Sequence, residues 1–284
     1  DRTPERDAPH ERAARAERLQ RCLAARPGDT EAHFKLAQIY ASQAADASEG
    51  ERERCLSQAQ GHCREAVRLC PLLGEVYLAL ASQCAAQPNR NGAMAYAVQA
   101  VRVRPCQPEI CFAAGYELFK QQCPTAALTA WRLAANRGWE WEQRVIELVA
   151  PHADPPTLVR YLNPSPRGLV WAADHCADAE EQIEKGRELL RLARGLMEHR
   201  RTDADPGELL LLRQVCKRLG DLEAADKAMD RFVQAGGRAF ESLLEQARWY
   251  LATGRAEQAL HLLGRCRAGR ADDAGVIRLL QESG

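Results

Sequence analysis

The chain has 284 residues, enough to bury a substantial core as one large domain or two ordinary ones. Its 39 basic and 39 acidic residues cancel, which leaves no electrostatic footprint for nucleic acid or an anionic membrane. Aromatics make up only 6% and alanine is abundant, a balance that favours close-packed helices over sheets.

No apolar run reaches the roughly 18 residues of a membrane span, and the opening DRTPERDAPHERAARAERLQ is too charged for a signal peptide. The chain does not open on Met, which fits a piece of something longer. Only five basic residues are Lys (35, 120, 185, 217 and 227). The arginines are interleaved with Glu and Asp, a bias typical of GC-rich, for example bacterial, coding and unlike a phosphate-binding track.

In chain order, Leu19 and Cys22 belong to the second helix of a leading half-unit that stops before Pro27. A full unit opens at Thr30 with His33, Leu36, Ala37 and Tyr40. Its second helix (Ala59, Cys63, Ala66, then Pro71) arrives late, after the polar surplus AADASEGERE at Ala44–Glu53. That surplus either loops out or lengthens the helices. The unit from Gly74 carries Tyr77, Leu80, Ala81 and Cys84, then Ala93, Ala97, Ala100 and Pro105. The unit from Pro108 carries Cys111, Ala114, Gly115 and Leu118, then Ala127, Trp131 and Ala134. Trp139–Pro166 has the apolar spacing of two short helices (Val145, Leu148, Val149; Leu158, Val159, Leu162), separated by Pro151, Pro155 and Pro156. A looser unit follows Arg167, with Trp171 in its first helix and Gly186, Leu190 and Ala193 in its second.

The last two units are one another's echo. Pro206 opens Leu209, Leu212, Arg213 and Cys216, then Ala225, Met229 and Phe232. Phe240 opens Leu243, Gln246, Ala247 and Tyr250, then Ala259, Leu263 and Cys266. Arg213 and Gln246 depart from the pattern. Ala274–Gln281 reads as a closing helix over the last apolar face.

This repeat of small and large residues resembles the tetratricopeptide-repeat (TPR) family, whose unit is a pair of antiparallel helices. Small residues are needed where paired helices cross, and large ones where neighbouring pairs interlock. The resemblance implies an all-α, right-handed solenoid with an irregular centre. It divides the chain into an N-terminal array at 1–139 (a half repeat plus three units, with an insertion near 44–53), degenerate helical repeats at 140–205, and a C-terminal pair with capping helix at 206–284. The stretches LAARPGDTEAHFKLAQIY and AVRLCPLLGEVYLALA also resemble the soluble TPR region of bacterial O-antigen ligase-like membrane proteins. That likeness would make this chain a soluble appendage of an envelope polysaccharide machine.

Six of the eleven cysteines (Cys22, Cys63, Cys84, Cys111, Cys216, Cys266) fall on repeat positions and are expected to pack as small hydrophobes. Cys55, Cys70, Cys106, Cys123 and Cys176 lie off the pattern, where disulfides stay open as a reading. No CxxC pair suggests zinc, and no catalytic or nucleotide motif occurs. No cofactor is expected. The neighbours His62–Cys63 and His175–Cys176 suit a Cys–His pair poorly, because adjacent helical residues point apart.

In the TPR family the first helix of each unit lines a concave groove. The resemblance therefore implies Phe34, Gln38 and Ser42, then Leu78, Ser82 and Ala85, then Phe112, Tyr116, Phe119 and Lys120. The C-terminal units would add Leu210, Gln214, Lys217 and Arg218, then Leu244, Arg248 and Leu251. The Lys/Asn/Arg clamp with which some members hold a peptide carboxylate has no counterpart at these positions. The function expected is a non-catalytic scaffold that binds a peptide or helix of a protein partner. A rival reading is an enzyme in the irregular centre, with His152, Asp154, Asp174, His175 and Cys176 gathered.

Overall fold

Local rules account for most helix boundaries. Pro108, Pro124, Pro155 and Pro206 each sit in a first helical turn, where a missing N–H is no loss and φ is preset. Asp29 and Asp154 cap from outside, their carboxylates accepting from the amides of Ala32 (2.9 Å) and Thr157 (2.6 Å). Gly220 and Gly254 take left-handed φ values of 80° and 77°. That turn lets Asp221 N donate to Cys216 O at 3.0 Å and Arg255 N to Tyr250 O at 2.8 Å, closing the helix end. Gln122 holds the equivalent place in its own unit, with φ 59° and Cys123 N donating to Leu118 O at 3.0 Å.

The computed structural model describes residues 9–86, 92–175, 180–199, 205–235, 240–269 and 274–282. Within them lie sixteen helices and no strand, divided between two compact units, Asp1–Asn163 and Pro164–Gly284. The first unit contains α1 (Pro9–Ala25), α2 (Thr30–Asp46), α3 (Glu49–Leu69), α4 (Gly74–Ala85), α5 (Ala93–Val103), α6 (Pro108–Lys120), α7 (Pro124–Ala135), α8 (Trp139–Val149) and α9 (Pro155–Leu162). The second contains α10 (Pro166–His175), α11 (Glu180–His199), α12 (Pro206–Arg218), α13 (Leu222–Ala235), α14 (Phe240–Ala252), α15 (Ala256–Gly269) and α16 (Ala274–Glu282). The surplus around 44–53 is helical: only Ala47 and Ser48 separate α2 from α3, so it lengthens both helices.

Both units are stacks of helix hairpins: α2 with α3, α4 with α5, α6 with α7, α10 with α11, α12 with α13, and α14 with α15. Alanines mark the crossings. Ala37, Ala59, Ala66, Ala81, Ala100, Ala127, Ala134, Ala225 and Ala259 have no solvent exposure at all. At each end a single helix covers what the hairpins leave open. Ala16, Leu19 and Leu23 of α1 lie on Leu36, Ile39 and Tyr40, while Val276 and Leu279 of α16 close over Leu244, Leu262, Leu263 and Cys266. Cys63, Cys84, Cys111, Cys216 and Cys266 are buried and Cys22 is half-buried. The ten described cysteines are free thiols; Cys176 lies outside the described residues.

A close crossing joins α6 and α7. A Cβ on Gly115 would lie 2.4 Å from both Cδ1 and Nε1 of the Trp131 indole, so the large ring of one helix fits only because the other lacks a side chain. The indole is 3% exposed, and its Nε1 donates to Phe112 O at 3.1 Å.

Gly115→Ala is expected to lower the stability of the first unit by about 2 kcal/mol through overpacking, read as an earlier urea midpoint. Adding Trp131→Leu should recover part of the loss. Conversely, Gln122→Gly is expected to raise stability by about 0.5–1 kcal/mol, because glycine takes the left-handed turn without a Cβ clash. A lower thermal midpoint for that variant would refute the assignment of strain to Gln122.

Candidate functional site

Across α2, α4 and α6 the repeat separates two kinds of expected groove residue. Phe34, Leu78 and Phe112 hold the same place in successive units, and each is half-buried. Phe34 packs against the cluster of Ala37, Cys63, Val76 and Leu80, and Leu78 against Tyr77, Ala100 and Ile110. Phe112 packs with its ring centroid 5.8 Å from that of Trp141 on α8. One helical turn later, Gln38, Ser82 and Tyr116 are exposed. The fifth residue of each unit therefore helps to hold the stack, and the ninth faces solvent.

Around Tyr116 the first unit opens into a cleft of about 520 Å³. Tyr116 and Phe119 of α6 form one wall, Pro124, Leu128 and Trp131 of α7 the floor, and Leu148 and Val149 of α8 the opposite wall. His152, Ala153, Asp154 and Thr157 close one end. The cleft exists because α9 packs back on α7, placing the prolines of 151–156 where a longer α8 would otherwise continue. The lining is mostly apolar, and Phe119 lies with its ring centroid 5.8 Å from that of Trp131. Tyr116 and Phe119 are 49% and 54% exposed, large apolar surfaces left without a covering neighbour. Lys120 is held at the rim, 2.7 Å from Glu117 Oε1 and 4.9 Å above the Tyr116 ring.

The inner-face residues of the second unit are engaged differently. Gln214, Lys217 and Arg248 are exposed. The Lys217 Nζ lies 5.6 Å from the Trp249 centroid, and Arg248 meets Glu245 at 3.4 Å beside a hollow lined by Leu251, Gly275, Arg278 and Leu279. The two breaks in the repeat pattern find their cause here. Arg213 lays its guanidinium 5.2 Å from the Trp249 centroid and bonds Glu245 at 3.0 Å. Gln246 donates to the Tyr250 hydroxyl at 3.2 Å. Asp226 ties the same two hairpins together by accepting from Trp249 Nε1 (2.7 Å) and from both terminal nitrogens of Arg255 (2.6 and 2.8 Å). Burial pushes the Asp226 carboxyl up, but Arg255 and Trp249 outweigh it and hold the group below its ordinary value.

Three residues of the rival enzyme reading have structural employment. Asp154 caps α9, Asp174 pairs with Arg218 at 2.7 Å, and His175 Nδ1 lies 2.9 Å from Trp171 O. His152 is exposed at the end of the cleft. Cys176 lies outside the described residues. The neighbours His62 and Cys63 diverge: Cys63 faces the core, where burial pushes its thiol up to about 11, while His62 meets His33 across the hairpin at 3.0 Å. Repeat periodicity gives no sign of Leu128, Leu148 or Asp226, because each takes its role from a neighbouring hairpin.

No protein-family model matches the chain, and no curated protein matches it. Solved structures do. A human IFIT1 dimer with PPP-AAAA has TM-score 0.41 and 16% identity, over 78% of this chain and 44% of that one. Yeast Tom70 has TM-score 0.38 and 15% identity, over 96% and 58%. PilW, described as a widely conserved type IV pilus biogenesis factor, has TM-score 0.33 and 16% identity, over 86% and 98%. The chain spans about half the length of the IFIT1 chain, 44%, and 46% of a chain in the APC/C hetero-tetramer Cut9-Hcn1, which it also matches. All are distant likenesses, and the class rests on the chain's own hairpins, crossings and end helices: a TPR-like helical-repeat protein. The resemblance to O-antigen ligase-like proteins finds no support. Among the described residues, no helix is long and apolar enough to cross a membrane.

Asp226→Ala is expected to cost about 1–2 kcal/mol in the second unit, since it strands the buried Trp249 N–H and releases Arg255. The wild-type contribution is fully present above the ordinary carboxyl value of 3.8 and is lost as pH falls through the lower folded value. Chemical unfolding across the acid range should therefore show a shallower acid loss in the variant.

Proposed function

We propose that this chain is a non-catalytic binding module which holds an apolar or aromatic segment of a partner protein in the cleft between α6 and α8. The observation that carries this reading is the pair Tyr116 and Phe119, about half exposed on the wall of a mostly apolar cleft floored by Trp131. Large aromatics at the centre of a concave, desolvated patch are where binding energy concentrates. A helix or extended segment with one or two large apolar anchors would bury these rings, while Lys120, His152 and Asp154 at the edge would set its orientation.

Peptides rich in aromatic anchors, selected from a random library on the wild-type protein, provide the test. Tyr116→Ala combined with Phe119→Ala should weaken the selected peptides by at least about tenfold, the scale of one hot-spot contact. Both side chains are half exposed, so the unfolding midpoint should move little. Leu72→Ala, another exposed apolar residue of the same unit, should leave binding unchanged. Equal binding by the double variant and the wild type would count against the cleft.

A further inference from the structure

The hairpin of α2 and α3 carries an ion-ready pair that the repeat pattern does not require. His33 Nε2 lies 3.1 Å from Pro27 O, which can only accept. With both rings neutral, His33 therefore carries its proton on Nε2 and offers a bare Nδ1. The Nδ1 of His62, 3.0 Å away, must then be the donor. Two imidazole nitrogens thus point at one shared proton, and each ring is held from behind. His33 is tethered to the carbonyl, and His62 is stacked on Tyr40 with centroids 5.7 Å apart and planes 11° apart.

We propose that the Nδ1 atoms of His33 and His62 form a binding site for a zinc-like divalent cation that replaces their shared proton. Two zinc–imidazole bonds of ordinary length meeting at a tetrahedral angle separate the nitrogens by about 3.3 Å, so from the observed 3.0 Å the rings must part slightly and turn until both lone pairs meet at the cation. A ring N–H donated to a backbone carbonyl, as from His33 to Pro27, is the outer contact that metal-ligating histidines usually make. Among the described residues, no set of three His, Cys, Asp or Glu side chains could hold a metal ion. Water therefore completes the coordination, and binding is weaker than in a closed structural site. The step balances: the cation forms two nitrogen bonds, the hydrogen bond between the rings breaks, and His62 exchanges its proton through solvent from Nδ1 to Nε2, so both rings stay neutral and no net proton is released. Bound metal would pin α2 to α3.

Nitrogen-15 spectra of the imidazoles in the whole protein, titrated with zinc(II), provide the test. The expected result is a joint shift of the Nδ1 resonances of His33 and His62, with loss of the His62 Nδ1 proton and a rise of several degrees in the thermal midpoint. His33→Gln should abolish both changes, although the cysteines of the chain can still take up zinc. Magnesium, which prefers oxygen ligands, should cause neither. Unshifted Nδ1 resonances in excess zinc, or the same midpoint rise in His33→Gln, would overturn the site and leave a hydrogen-bonded pair. An equal response to magnesium would also overturn it, as a general salt effect.

Discussion

Everything in this protein depends on how closely two helices of a hairpin can approach. Van der Waals contact between backbones requires small side chains at the crossing, and the fully buried alanines of α2 to α7 and α13 to α15 meet that requirement. The α6–α7 pair shows how narrow the tolerance is. Trp131 can fill its position only because Gly115 offers no Cβ; in the preceding hairpin the equivalent residues are Ala81 and Ala97, both fully buried. Volume is redistributed across each crossing and the spacing is kept, as expected for interiors packed like a solid.

Polar side chains then join one hairpin to the next. Arg104 donates to Leu72 O at 2.8 Å, and Arg137, one unit later, to Pro105 O at 3.4 Å. Each reaches from the turn after its own hairpin to the turn before it. In the second unit the role passes to Asp226 with Trp249 and Arg255, and to Arg213 with Glu245. The tie to Asp226 satisfies the Trp249 indole N–H, which would otherwise be buried at a cost. Such ties also explain why a repeat can tolerate an arginine where its neighbours have alanine.

The cleft arises where this regularity lapses. Pro151, Pro155 and Pro156 stop α8 early and restart the chain as α9, which returns to α7. The inner face of α6 is thereby left without the neighbour that a full unit would supply, and Tyr116 and Phe119 stay uncovered. The irregular centre thus contributes the surface it leaves open, while its own described His and Asp side chains cap, pair and border.

Periodicity alone determined the hairpins, their crossings and the closing helices, because small-residue spacing, capping aspartates and left-handed glycines act within about one unit of chain. The resemblance to the TPR family also implied a groove-facing place for Phe112, Tyr116 and Phe119, but it could not distinguish a ring spent on Trp141 from rings facing solvent. Nor could it show that the surplus at 44–53 is helix, that His62 turns away from Cys63 to meet His33, or that Asp226 has three donors from the next hairpin. Those outcomes were decided by tertiary structure. A repeat signature records what each unit must share with its neighbours in order to stack, whereas a cleft or a shared proton depends on side chains that only packing brings together.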